Sequence, residues 1–390
     1  MTQPGNGGPS AKTTAAKKRP QLASMLASRG GAASSGLVIT RRPGDVDELP
    51  LTMAQEGIWF VEQFNPEARV YNLIIAVEFE GELDEDALRC AVLELVKRHT
   101  PLRTTFQEID GNPTQRIMAD ASPAIEFADL SEDEGAASQA RLQQFLEELR
   151  LAAFDFVQGP PVRFSLVRAS DSQHIFALCI HHILIDGWSF SILQSELKQL
   201  YHAFSSGEPA KLAPVLLDSA DLAWWQRRWL KTAGFKRRLE RCRDHMLDAE
   251  VLKLPTDCRR PATPSFAGAS EFLILDARTR DELSAVSSEH GGTEFVTLLA
   301  VLFLLLHRYS GQSDIVIGSP VTLRSRTELE HMVGLLINMG VLRMDLSGAP
   351  DFSALVARTR SAVAWALDHV DVPYESLVQA LHPTRDAALH

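Results

Sequence analysis

The sequence predicts an α+β fold in two lobes, and three observations carry that prediction. Segments in which apolar and polar residues alternate, such as 71–79, lie beside segments with helical spacing of apolar residues, such as 84–99. These are the periods of strand and helix. The same mixture resumes after a connection marked by Pro and Gly at 254–268. A chain of 390 residues, 45% of them hydrophobic, also exceeds what one core usually holds. The expected organisation is a leader at 1–48, a first lobe at 49–253 and a second at 254–390.

The leader is rich in Gly, Ala, Ser and Thr. Up to residue 44 it carries Lys12, Lys17, Lys18, Arg19, Arg29, Arg41 and Arg42 and no acidic residue. Such a segment cannot bury enough apolar surface to order itself. Within it, residues 20–29 have the makings of a short linker or docking helix ending at Gly30.

From residue 49 the chain reads as folded. Residues 51–64 form a helix with Thr52 as N-cap and Gln55 placed for a capping box. A strand at 71–79 precedes an amphipathic helix at 84–99, where Ala87, Leu88, Val92, Leu95 and Val96 share one face. Strands are expected at 102–108, 114–118, 162–167 and 174–180, and helices at 139–151 and 188–204. A helix-rich stretch covers 219–246. The second lobe reads as a strand at 270–275, helices at 278–288 and 293–309, strands at 314–318 and 338–345, and a helix at 352–369.

Composition excludes several classes of function. The net charge is −11, which argues against nucleic acid, since phosphate contacts need clustered Lys and Arg. Cys90, Cys179, Cys242 and Cys258 are too widely spaced for a metal knuckle or a disulfide framework. No metal and no membrane span are expected, and a reducing cytoplasm is the simplest setting.

The chemistry concentrates in His181-His182-Ile-Leu-Ile-Asp186-Gly187. An apolar strand precedes these residues and a helix follows, so the histidines sit at a strand end, where side chains converge on a cleft. Acyl transfer to an amine or alcohol needs a proton acceptor near neutral pH, and histidine is suited to it. His182 is the candidate catalytic group. His181, alternating to the other side of the strand, is expected to pack. Asp186 is expected to brace the loop by pairing with an arginine. Gly187 is expected to allow a backbone conformation, or a close substrate approach, that a side chain would block. Ser189 reads as a helix N-cap, and Trp59, Trp224 and Trp225 as packing anchors.

The loop and its flank, IHHILIDGWS, resemble the core motif of condensation domains in nonribosomal peptide synthetases. Other segments resemble further motifs of that family in order: Leu51-Thr-Met-Ala-Gln-Glu-Gly-Ile-Trp59, Arg98-His-Thr-Pro-Leu-Arg-Thr-Thr-Phe106, Asp221-Leu-Ala-Trp-Trp-Gln226, Ile317-Gly-Ser-Pro-Val321 with Val333-Gly-Leu-Leu-Ile-Asn338, and His369-Val-Asp-Val-Pro-Tyr-Glu-Ser-Leu-Val378. The resemblance runs from about residue 49 to the end. It implies two chloramphenicol-acetyltransferase-like lobes in a V-shaped pseudo-dimer with the site between them. It also implies amide formation between acyl groups carried as phosphopantetheine thioesters by upstream and downstream peptidyl carrier proteins, beside an adenylation domain, with no cofactor held by the domain itself. By this resemblance His182 deprotonates or positions the amine. Asp186 pairs with a second-motif arginine, Arg103 first and Arg98 next. Trp188, Ser189 and Asn338 become candidates for lining the tunnel.

Departures from the family pattern bear on subtype. Both histidines stand, unlike heterocyclising members, and the Trp-Arg pair of epimerising members is missing. Glu56-Gly57 replaces the Gln-Arg common in elongation members, which points to a starter or specialised subtype. The family continues beyond the point matched by His390, so the second lobe is expected to be incomplete. A stand-alone acyltransferase with a soluble amine or alcohol acceptor, and a non-catalytic carrier-binding platform, are the competing readings.

Overall fold

The structure, a computed structural model, describes residues 38–44, 48–119, 122–131, 136–258, 266 and 268–381. The expected leader helix at 20–29 and the chain's last nine residues lie outside them.

A four-stranded sheet, ordered β2-β7-β6-β5, organises the first half. It comprises β2 (Asn72–Glu80), β5 (Ile125–Asp129), β6 (Val162–Ser170) and β7 (Gln173–His181). After its first residue every side chain of β7 is buried, as a central strand covered on both faces requires. It pairs antiparallel with β2 and β6, and Asn72 lies opposite His181. The edge strand β5 runs parallel to β6. Sequence periodicity missed it because its five residues are largely exposed. A smaller sheet joins β1 (Leu49–Pro50), β4 (Asn112–Ile117) and β3 (Thr104–Ile109) in that order.

Four helices accompany these strands: α1 (Met53–Phe64), α2 (Glu85–Arg98), α3 (Ala136–Leu151) and α4 (Gly187–Ser206). The start of α1 is the capping box that the sequence predicts: Gln55 N donates to Thr52 Oγ1, and Thr52 N donates to Gln55 Oε1. The predicted face of α2 is buried whole, and it packs against α4 over one core that includes Trp59, Phe106, Ile180 and Leu193.

In the second half, α5 (Ser219–Trp229), α6 (Ala233–Met246) and α10 (Tyr374–Leu381) share a core with residues 329–341. Helices α8 (Glu294–Ser310) and α9 (Phe352–Asp368) pack on a two-stranded sheet, β8 (Asp314–Thr322) with β9 (Ile337–Asp345), and α7 (Ala277–Glu289) leans on α8. Helices α5 and α6 therefore bury their apolar faces against later elements.

The strand expected at 270–275 is not formed. Phe272, Leu273 and Ile274 are 90%, 87% and 90% exposed. A short apolar run alone does not make a strand; a neighbour must supply the ladder hydrogen bonds, and no described strand lies beside this segment.

Candidate active site

The motif loop follows β7 directly, and backbone bonds hold it tightly. His182 N donates to Tyr71 O at 2.8 Å, extending the β2–β7 ladder by one residue. Two turns follow, with Leu184 N donating to His181 O and Ile185 N to His182 O. Ile183, Leu184 and Ile185 are all but fully buried and serve as the loop's anchor in the first core. From α1, Gln55 Nε2 donates to Ile183 O at 3.1 Å, so one side chain both caps a helix and grips the loop.

His181 points inward and is 1% exposed, as strand alternation predicts. Its ring meets Phe156 edge-on with centroids 4.9 Å apart. Burial holds its imidazole below the ordinary value, outweighing the upward pull of Glu62, so the ring is neutral at physiological pH. His182 is half-buried. Its Nδ1 is sealed from solvent, and no described residue hydrogen-bonds its side chain. The ring is thus held through the backbone, and its side chain makes no hydrogen bond with a described residue.

Asp186 is 2% exposed and caps α4. Its Oδ1 accepts from Ser189 N at 2.8 Å, and its Oδ2 accepts from Leu336 N at 3.0 Å and from Arg324 Nη1 at 2.5 Å. Arg324 Nη2 donates to Ser189 Oγ at 2.8 Å and to Met332 O at 3.0 Å. Ser189 Oγ also lies 2.8 Å from both Asp186 Oδ1 and Gly334 O, and it accepts from Gly334 N. Its single proton serves one of those two oxygens at a time. This buried network ties the motif loop to the segment between β8 and β9.

The expected brace is therefore corrected. Neither Arg103 nor Arg98 meets Asp186. Arg103 Nη1 donates to Met118 O, and Arg98 donates to Glu196 on α4 and to Ala213 O. The second motif closes its own strand and helix contacts, and the cation comes from Arg324. Ser189 is not the cap but the third residue of the helix that Asp186 caps. Gly187 takes no left-handed conformation, and a Cβ there would meet nothing within 4 Å. The special backbone conformation expected of this glycine is therefore not used, and the exposed residue leaves open space at the loop's mouth.

Trp188, half-buried, donates from Nε1 to Glu330 O. Asn338 Nδ2 donates to Val370 O and Val372 O, and its Oδ1 accepts from Tyr374 N. That amide holds the turn that starts α10. Sequence reasoning missed Arg324, Gly334 and the grip of Gln55 on the motif loop. The available signal was a second arginine-bearing stretch, Leu323-Arg324-Ser-Arg326, just after Ile317–Val321.

Gly334 gives a sharp test of this junction. A Cβ there would stand 2.6 Å from Ser219 Oγ at the start of α5 and 2.7 Å from Leu336 Cδ1. Gly334→Ala must therefore shift the segment against α5, and with it the Gly334 backbone that bonds Ser189 Oγ. A loss of about 1–3 kcal/mol is expected in denaturant unfolding. An unchanged midpoint would show that the junction yields freely.

The geometry defines an α+β fold of the chloramphenicol-acetyltransferase-like kind with a braced histidine loop. The Condensation domain family model matches residues 46–390. The chain is 40% identical over 339 residues to a linear gramicidin synthase polypeptide of Brevibacillus parabrevis, covering 86% of this chain and 7% of that protein. Against malpinin synthetase of Mortierella alpina it is 38% identical over 354 residues, covering 90% of this chain and 4% of that one. The chain thus spans only a small part of the length of these relatives. Among solved structures, the X-domain from teicoplanin biosynthesis superposes with a TM-score of 0.80 at 28% identity, covering 91% of this chain and 78% of that one. The first condensation domain of the calcium-dependent antibiotic synthetase superposes at 0.74 and 22% identity, covering 88% and 80%, a likeness of fold. The chain belongs to the condensation domain family of nonribosomal peptide synthetases, acyltransferases that generally form amide bonds.

Proposed function

We propose that this domain joins an acyl or peptidyl thioester on an upstream carrier protein to the amine of an aminoacyl group on a downstream carrier. The amine nitrogen attacks the thioester carbonyl, the C–N bond forms, the C–S bond breaks, and the amine proton ends on the departing phosphopantetheine thiol. His182 positions the amine or takes its proton at the moment of attack. The observation that carries this reading is the state of His182: fixed by its backbone, half-buried, and unbonded to any described residue through its side chain. The arms of the carrier proteins deliver both substrates, so the domain itself holds no cofactor in this scheme.

The likeness to the X-domain, which is also known in complex with OxyB, supports a second reading as a recruiting platform. A single-turnover assay with both carriers loaded separates the readings. Condensation leaves the joined product on the downstream carrier. Carrier binding without any product leaves only the platform. Equal rates with a soluble amine in place of the downstream carrier point to a stand-alone acyltransferase.

A further inference from the structure

His181 has no chemical task in condensation beyond packing, yet two buried polar atoms meet beside it. Glu62, on the last turn of α1, has its side chain 7% exposed, and its Oε2 lies 3.4 Å from His181 Nε2. Neither atom makes a hydrogen bond with any described residue, so the 3.4 Å approach is the nearest thing either has to a polar partner. On the far side of the ring, Ile183 N donates to His181 Nδ1 at 3.3 Å.

A backbone amide can only donate, so Nδ1 must carry a lone pair. The neutral ring then bears its proton on Nε2, and Glu62 Oε2 is the acceptor it faces. Phe156 at 4.9 Å, Tyr71 at 6.0 Å and Phe154 at 6.5 Å hem the ring in edge-on, so it cannot turn over to exchange its nitrogens. Arg69 Nη1, 3.9 Å from Glu62 Oε1, supplies a positive charge on the other side of the carboxylate.

We propose that Glu62 is a positioning residue for the motif loop: it holds His181 in the Nε2–H form, which lets Nδ1 accept the Ile183 amide and sets the turn that presents His182. The logic is that of a histidine whose outer partner fixes which nitrogen remains available. Here the available nitrogen grips the backbone. Without an acceptor at residue 62 the buried Nε2–H is orphaned, and the ring can relieve that cost only by moving its proton to Nδ1, which would set N–H against N–H at Ile183 and loosen the turn. The functional part of this inference rests on the proposed condensation; the tautomer itself does not.

The test pairs Glu62→Gln, which keeps an acceptor oxygen, with Glu62→Leu, which has none. Long-range 15N NMR of the folded domain should show His181 as the Nε2–H form in wild type and in E62Q, and a shift toward Nδ1–H in E62L. In single-turnover condensation with saturating carriers, E62L should be slower by on the order of 10- to 100-fold. Apparent carrier affinity should stay within about threefold, and E62Q should recover most of the rate. An Nδ1–H ring in wild type, or an E62L domain with wild-type tautomer and rate, would overturn the proposal. If E62L does not fold, the wild-type and E62Q spectra decide: Nδ1–H in either refutes it. If no variant, wild type included, makes product while the tautomer behaves as stated, the condensation reading fails and the positioning role stands.

Discussion

His182→Ala is expected to slow single-turnover amide formation by about 10²- to 10⁴-fold while leaving the fold intact, the range a positioned proton-handling group supplies. Fold and chemistry rest on separate parts of the loop. The imidazole makes no hydrogen bond with any described residue, and the loop's shape comes from backbone bonds and from Ile183, Leu184 and Ile185. Removing a half-buried ring therefore leaves no orphaned partner, and the melting temperature should move by only a few degrees. The chemical step loses the one imidazole that the loop leaves uncommitted. Unchanged product yield with both carriers loaded would end the claim for His182. A collapsed melting curve would show that the ring was holding the loop after all.

How far the sequence foretold this site depends on how local each interaction is. The histidine loop was legible because its determinants are adjacent: an apolar strand, a turn and a helix start within a dozen residues. The capping box of α1 and the buried face of α2 were legible for the same reason. The partner of Asp186 was not. Arg324 lies 138 residues away, and no periodicity marks an arginine that will be buried by a segment from the other half of the chain. The family resemblance drew attention to Arg98 and Arg103, yet packing of α2 on α4 turns Arg98 to Glu196, which also binds the buried His99. At 270–275 the apolar run was genuine, but no described strand lies beside it to pair with it. Ser189 was placed at the right helix end but at the wrong position, because Asp186 is the better cap and sits three residues earlier.

The ion pair between Asp186 and Arg324 should dominate the stability of the junction between the halves. Their side chains are 2% and 0% exposed, and burial lowers the arginine's pKa despite the nearby carboxylate. Arg324→Met should cost about 3–5 kcal/mol, because it strands a buried carboxylate whose remaining donors are the Ser189 and Leu336 amides and the Ser189 hydroxyl. Asp186→Ala should cost a similar amount, since it strands the guanidinium and uncaps α4. The double variant strands neither charge, so its loss should fall well short of the sum. It should still not return to wild type, because the Leu336 amide remains without its acceptor. Denaturant unfolding of all four proteins yields the coupling. Losses that add to within about 0.5 kcal/mol would mean the pair is incidental to the fold. A large coupling would also bear on condensation, because the same bonds fix the loop that presents His182. The double variant should then regain stability without regaining rate.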